Sequence, residues 1–259
     1  MYKIASILSI ITMAAVSVIP AQANTLIFNT QDFPPFNYEI NNVVEGPAAE
    51  VIRSVCDMQG FNCKFNLLPW RRAQNEVKNG NANAMFVIGW NKARAEWLYY
   101  SPPLMQTEYG FFVRNNNNLN YLDTKDIAGY KIGVFGPSNT SNSLNKIKES
   151  MASKGIKPID IKMVSDDVNI FKMLDDPNRN LKGVYSNKDV GLAIINQVKL
   201  KNIRYAGAQK KLKYFIGFSK QYTDKKLVDK FNEGLTKLHK SGKLQEILSK
   251  FHMEAASLE

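Results

Sequence analysis

The sequence predicts an α/β protein of two lobes with a ligand cleft between them. Three observations lead there. Strand-like and helix-like stretches alternate through two cycles of similar size. A polar break at Asn115–Asn118 separates the cycles, and two amphipathic helices close the chain. Alternation of this kind builds parallel sheets with crossover helices, and ligands of open α/β sheets bind at the carboxyl ends of the strands.

The first cycle starts with a short buried strand, Thr25–Asn29. The loop Gln31–Asn37 follows, where two prolines forbid helix. Apolar residues at helical spacing predict a helix over Ala48–Met58 that stops near Gly60. Phe65–Leu68 reads as strand, Arg71–Lys78 as helix up to Gly80, Ala84–Ile88 as strand and Ala93–Leu98 as a short helix. Tyr109–Val113 is a connecting strand. The second cycle runs through strand Tyr130–Phe135, helix Thr140–Ser153, strand Asp160–Val164 and helix Asp167–Leu174, with Ser165 as its expected cap. Strand Gly183–Tyr185, helix Val190–Val198, strand Lys213–Phe218 and helices near Lys225–Leu238 and Leu244–Phe251 complete it.

The chain of 259 residues opens with Lys3, an apolar run from Ile4 to Val18, Pro20 and the triplet Ala21-Gln22-Ala23. A charged start, a short apolar core and an A-x-A end predict a cleaved secretory signal over residues 1–23. The run falls short of the roughly 20 apolar residues that span a bilayer. The expected product is a soluble periplasmic protein. The full chain's formal net charge of +11 is spread over scattered lysines, without a nucleic-acid-binding module. Export also argues against nucleic acid as partner. Cys56 and Cys63 are the only cysteines. A helix end turning back into a strand could bring them together, and an oxidising compartment favours a disulfide over two buried thiols. Two such ligands without a nearby histidine make no metal site.

Several segments, in order, carry a family resemblance. They are Asp32-Phe-Pro-Pro-Phe36, Gly46-Pro-Ala-Ala-Glu50, Asn91-Lys-Ala-Arg94 leading into Tyr100-Ser-Pro, Lys131-Ile-Gly-Val134 with Ser138-Asn-Thr140, and Ile216–Lys220 with the closing helices. Together they resemble the periplasmic solute-binding proteins of ABC uptake systems, family 3, in the branch that binds polar amino acids. The Pro69-Trp-Arg-Arg-Ala73 segment marks a divergent sub-branch. The resemblance implies the two-lobed type II periplasmic-binding-protein fold. Lobe 1 would comprise residues 24–112 and 213–259, and lobe 2 residues 113–212. Crossings near Tyr109–Arg114 and Leu212–Phe218 would act as hinge. It also implies a monomer without cofactor or metal that serves an inner-membrane ABC permease or, alternatively, a membrane receptor.

Candidate ligand-binding residues follow from position and chemistry. Arg94 comes after a strand end, and its planar guanidinium matches a carboxylate bidentately. Ser138, Asn139 and Thr140 open a helix, whose free N–H groups suit an anion as well as simple capping. Phe33, Phe36, Trp70 and Trp90 offer aromatic walls, with at least one expected in the core. Arg71 and Arg72 open a helix at the end unfavourable to cations. They are either solvated or turned to the cleft or to an acid such as Glu50. Amino-acid binders of the family carry an acid for the ligand ammonium in a "D-A-V-x-x-D" strand. Here Asn187 stands in its place, and Ala48 replaces a second acid. This turns the expectation toward an organic acid, a modified amino acid or another polar anion. An enzyme would need a positioned acid or base. The only histidines, His239 and His252, lie far from the strand-end loops, so no catalysis is expected. A dehydratase-like role on the same fold, with Glu50 or Asp32 as acid, is the alternative.

Overall fold

The computed structural model describes residues 25–258, so the signal segment expected at 1–23 lies outside the described residues. The first half holds β1 (Thr25–Thr30), a hairpin of β2 (Tyr38–Ile40) and β3 (Val43–Glu45), α1 (Pro47–Gln59), β4 (Asn62–Leu67) and α2 (Trp70–Lys78). Then come β5 (Ala84–Gly89), α3 (Lys92–Ala95), β6 (Leu98–Tyr100) and β7 (Met105–Arg114). The second half holds β8 (Lys131–Phe135), α4 (Asn139–Ser153), β9 (Asp160–Val164), α5 (Asp167–Asp175), β10 (Gly183–Asn187) and α6 (Lys188–Gln197). β11 (Ile203–Ser219), α7 (Lys225–Lys240), α8 (Lys243–Ser249) and β12 (Glu254–Ala255) follow.

The strands form one continuous curled sheet in the order β4-β1-β5-β11-β7-β10-β8-β9, where the alternation alone suggested two separate sheets. Its flanks are parallel: β1 with β4 and β5 on one side, β8 with β9 and β10 on the other. Its middle is the antiparallel pair β7 and β11, which runs from Ile203↔Arg114 to Tyr214↔Met105 with register shifts at Tyr205/Gly207 and Ala208/Lys210. β11 is 17 residues long, against an expected strand of Lys213–Phe218 alone. Its lysine-rich middle passes between the two flanks with partly exposed faces, so it lacks the apolar alternation that marks a strand. Pairing with β7 supplies its backbone partners instead. The two strands approach so closely that a Cβ on Gly110 would lie 2.3 Å from the Gly207 carbonyl oxygen.

Local rules explain the helices that flank the sheet. α1 has proline in its first turn, and Gly60 closes it at φ 70°, a left-handed conformation that glycine adopts without penalty. Its face of Ala48, Val51, Ile52 and Val55 is buried, which explains Ala48 as a packing residue. Phe28, Phe218 and Phe231 meet at ring separations of 5.2–5.9 Å beneath it. Each such buried ring contributes about 1.5–3 kcal/mol. Past the sheet middle, Phe111, Tyr121 and Tyr185 form a separate aromatic core. α5 is capped by Asp166, not Ser165, with the Asp166 carboxylate accepting from the Asn169 N–H at 2.7 Å. α3 is only one turn, because the expected helix gives way to β6, which pairs with β11. Cys56 and Cys63 are joined in a disulfide, with Cα atoms 6.2 Å apart, tying the end of α1 to β4. No helix among the described residues is long and apolar enough to cross a membrane.

Candidate functional site

A cavity of ≈ 420 Å³ opens between the two halves of the sheet. It is lined by the residues that follow the parallel strands: Gln31–Phe33 after β1, Trp70 after β4, Gly89 and Arg94 after β5, Pro137–Thr140 after β8 and Ser165–Asp167 after β9. Asn187, at the end of β10, joins them. The parallel ladders on both flanks thus turn their carboxyl ends to one cleft.

Arg94 is half-buried on the first wall. α3 positions it: the Asn91 side chain caps the turn by accepting the Arg94 N–H at 2.8 Å. The guanidinium donates to the Gly89 carbonyl at 3.1 Å and lies over the Trp70 ring, 5.3 Å from its centroid. No carboxylate among the described residues pairs with it. Burial pulls its pKa down from the usual value, against the opposing influence of Tyr100 and Tyr109. A desolvated guanidinium with one backbone acceptor and one aromatic face retains donors for an anion.

The facing wall is the start of α4. Ser138 is its cap. The Ser138 hydroxyl accepts the Ser141 N–H at 3.1 Å and donates to the Phe135 carbonyl at 2.8 Å, so that hydroxyl is engaged. Thr140 hydrogen-bonds Tyr109, whose hydroxyl also meets that of Tyr214. Asn139 lies close to Gly89 across the cleft: a Cβ on Gly89 would stand 3.7 Å from the Asn139 amide nitrogen.

Asn187 is buried at 3% exposure, and its amide is fully used. Its nitrogen donates to Thr107 Oγ1 at 2.9 Å and to Tyr214 Oη at 3.1 Å. Its oxygen accepts the Asp189 and Val190 N–H groups at 2.9 and 3.1 Å, capping α6. The Thr107 hydroxyl in turn donates to the Asp189 carboxylate at 2.5 Å. One amide therefore ties β10 and α6 to both central strands. The acid of the α-amino-acid pattern is replaced here by a structural junction.

The cleft also carries three acids: Asp32, the acid of the dehydratase-like alternative, and Asp166 and Asp167 at the start of α5. Asp32 sits at the rim, its carboxyl raised by desolvation and by Glu39. Asp167 stands at the start of α5, where burial and the neighbouring Asp166 push its pKa up to about 6. Tyr109 and Tyr214 also line the cavity, although both lie on the central strands.

Of the sequence candidates, the cavity gathers Phe33, Trp70, Arg94, Ser138, Asn139, Thr140 and Asn187. Five lie outside its lining. Phe36 is fully buried behind Phe33 and Tyr214, at ring separations of 5.2 and 5.0 Å. Glu50 pairs with Lys250 at 2.7 Å on the far side of α1. Arg71 is solvent-exposed, and Arg72 pairs with Glu76 along α2. Trp90 is 62% exposed and lines a neighbouring groove.

Parallel flanks, a long antiparallel crossing pair and a cleft at the strand ends define a two-lobed periplasmic-binding-protein fold. The model of the bacterial extracellular solute-binding proteins, family 3, matches residues 26–254, and the chain belongs to that family. A comparison with curated protein sequences gives no match. Among solved structures, a histidine kinase sensor domain with similarity to periplasmic binding proteins is 18% identical at TM-score 0.74. The alignment covers 91% of this chain and 98% of that one. A structure concerning glutathione import via GshT and the cystine ABC importer TcyBC of Streptococcus mutans is 19% identical at TM-score 0.76, covering 91% and 98%. An ancestral arginine-binding protein bound to arginine is 19% identical at TM-score 0.71, covering 88% and 97%. At these identities the likeness establishes the fold.

Two outcomes follow. Asn187→Asp should destabilise the protein by about 2 kcal/mol, roughly 4–8 °C in melting temperature, because it brings a second carboxylate beside Asp189 and removes two N–H donors. It should bring no gain in affinity for common α-amino acids. A variant as stable as wild type that binds them better would contradict the junction role. Asp167→Asn tests the other acid. The raised folded pKa means that the proton favours the folded state. That stabilisation is present below the unfolded value of about 4 and is lost as pH rises through about 6. The variant should therefore melt higher than wild type at pH 7.5, and the difference should vanish toward pH 4. A difference independent of pH would show that Asp167 is not desolvated.

Proposed function

We propose that this chain is an exported, periplasmic solute-binding protein that captures a small polar, carboxylate-bearing solute by closure of its two lobes. The solute is an amino acid or a related organic acid, and it is delivered to an inner-membrane ABC importer. Lobe 1 comprises residues 24–112 and 213–259, lobe 2 comprises residues 113–212, and β7 and β11 are the hinge. The observation that carries this reading is Arg94. It is a half-buried guanidinium fixed by Gly89 and Trp70, with no carboxylate partner among the described residues, facing the start of α4 on the opposite wall. A carboxylate bridging Arg94 and the Ser138–Thr140 turn makes both sets of contacts only when the lobes are together, and so favours the closed state. Phe33 and Trp70 wall the solute. Asp32 and Asp167 can hold an ammonium or hydroxyl group at its other end, which keeps zwitterions within the class despite Asn187. Presentation of the bound solute to a receptor is the second reading, favoured by the likeness to a histidine kinase sensor domain.

Charge-assisted, desolvated hydrogen bonds contribute about 1.5–3 kcal/mol each, so loss of a bidentate clamp should cost roughly 3 kcal/mol, or a hundredfold in affinity. The ligand is to be found by mass spectrometry of what co-purifies and a thermal-shift screen of small acids. Calorimetric titration with it should show this loss for Arg94→Ala. Arg94→Lys should also bind poorly, because an ammonium keeps the charge but loses the fork. Ligand-free melting should be little changed in both. Wild-type affinity in both variants would remove Arg94 from the site.

A further inference from the structure

Beside the cleft lies a groove of ≈ 770 Å³. The two share a wall: Gly89, Tyr109 and Asn139 line both. The groove has a distinct chemistry. Lys213, whose ammonium donates to Ser257, lines it; Lys146 of α4 and Lys210 and Lys211 of β11 line it too, and no aspartate or glutamate is among its lining residues. None of Lys146, Lys210 and Lys211 forms an ion pair among the described residues. The Lys210 ammonium lies over the Tyr109 ring, 5.3 Å from its centroid, so one tyrosine stands between the lysines and the Arg94 side of the cleft. Desolvation and the charge of Lys146 lower the Lys210 pKa, the mark of ammonium groups crowded without compensation. Trp90, 62% exposed, forms part of the rim.

Uncompensated like charges in a concave, partly desolvated place cost free energy that an anion recovers. The lysines come from two elements that meet at the groove, α4 and the central strand β11. We propose that this groove is an anion subsite continuous with the cleft, which takes the second anionic group of an extended dianionic solute whose first carboxylate is held by Arg94. The proposal rests on the carboxylate reading of the cleft. It assigns the groove charge recognition, Trp90 the covering of the linker or distal group, and Tyr109 the partition between the two anion sites. It narrows the solute class to dianions, including zwitterions that carry two anionic groups.

The test uses α,ω-dicarboxylates from succinate to pimelate beside monocarboxylates of equal length. Each is titrated into wild type, Arg94→Ala and the double variant Lys146→Ala/Lys210→Ala. In wild type the best dicarboxylate should bind about tenfold or more tightly than its monocarboxylate partner, and it alone should change Trp90 fluorescence. The double variant should lose that advantage and keep monocarboxylate affinity, while Arg94→Ala should weaken both. Equal binding of the two series in wild type, or an advantage that survives the double variant, overturns the subsite. If no carboxylate binds at all, the Arg94 reading has failed and inorganic pyrophosphate decides the groove. Binding that changes Trp90 fluorescence in wild type and is lost in the double variant supports the subsite. Absence of binding, or binding untouched by the variant, overturns it.

Discussion

The antiparallel pairing of β7 with β11 is the constraint on which the rest of the molecule depends. Two parallel half-sheets flank this pair, so their carboxyl ends open onto one space. The pair is joined by backbone hydrogen bonds along most of β7 and broken by two register irregularities in β11, which resists slipping and leaves a place to bend. The close approach at Gly110 keeps the two strands together where they pass the cleft. Asn187 then ties β10 and α6 to Thr107 and Tyr214 on the pair, and Thr140 meets Tyr109 there. The residues that a solute would touch are thus mechanically linked to the strands that would flex.

Charge is arranged unevenly around this frame. The cleft holds one clamped arginine and the acids Asp32, Asp166 and Asp167, whereas the adjoining groove holds lysines and no acid. In a desolvated cleft each of these groups is worth more than at the surface, and an unmatched one costs more. Burial raises the pKa of Asp167 and lowers that of Arg94, and both shifts reflect that cost. A solute of matching charge pattern would relieve it, which is the physical basis for selectivity.

Much of this was readable in the sequence, for identifiable reasons. Strands followed by Pro-, Asn- or Ser-containing loops located Trp70, Arg94 and Ser138 at strand ends, where the cavity is. Phe33 and Phe36 could not be separated, because a loop with two prolines has no periodicity to say which ring faces inward. Glu50 found its partner 200 residues away in Lys250, a pairing that no local pattern encodes. Tyr109 and Tyr214 were missed because they sit on strands read as connections. Asp167 stands out only through its burial, which no local sequence pattern encodes. Asn187 was read against a family pattern as a lost charge. The hydrogen bonds show that the amide is required for the junction it makes.

The central claim is that the two halves close about β7 and β11 on a carboxylate held by Arg94. Its most direct test is the distance between spin labels on introduced cysteines at Arg72 in α2 and Asn169 in α5, both exposed and on opposite sides of the cleft. The native cysteines are both in the disulfide, so the labels attach where intended. Saturation with the co-purifying solute should shift the distance distribution to a shorter, narrower one in wild type, and the same concentration should leave the Arg94→Ala protein in its open distribution. An unchanged distance in a wild-type protein that calorimetry shows to be saturated would contradict closure as the mode of capture.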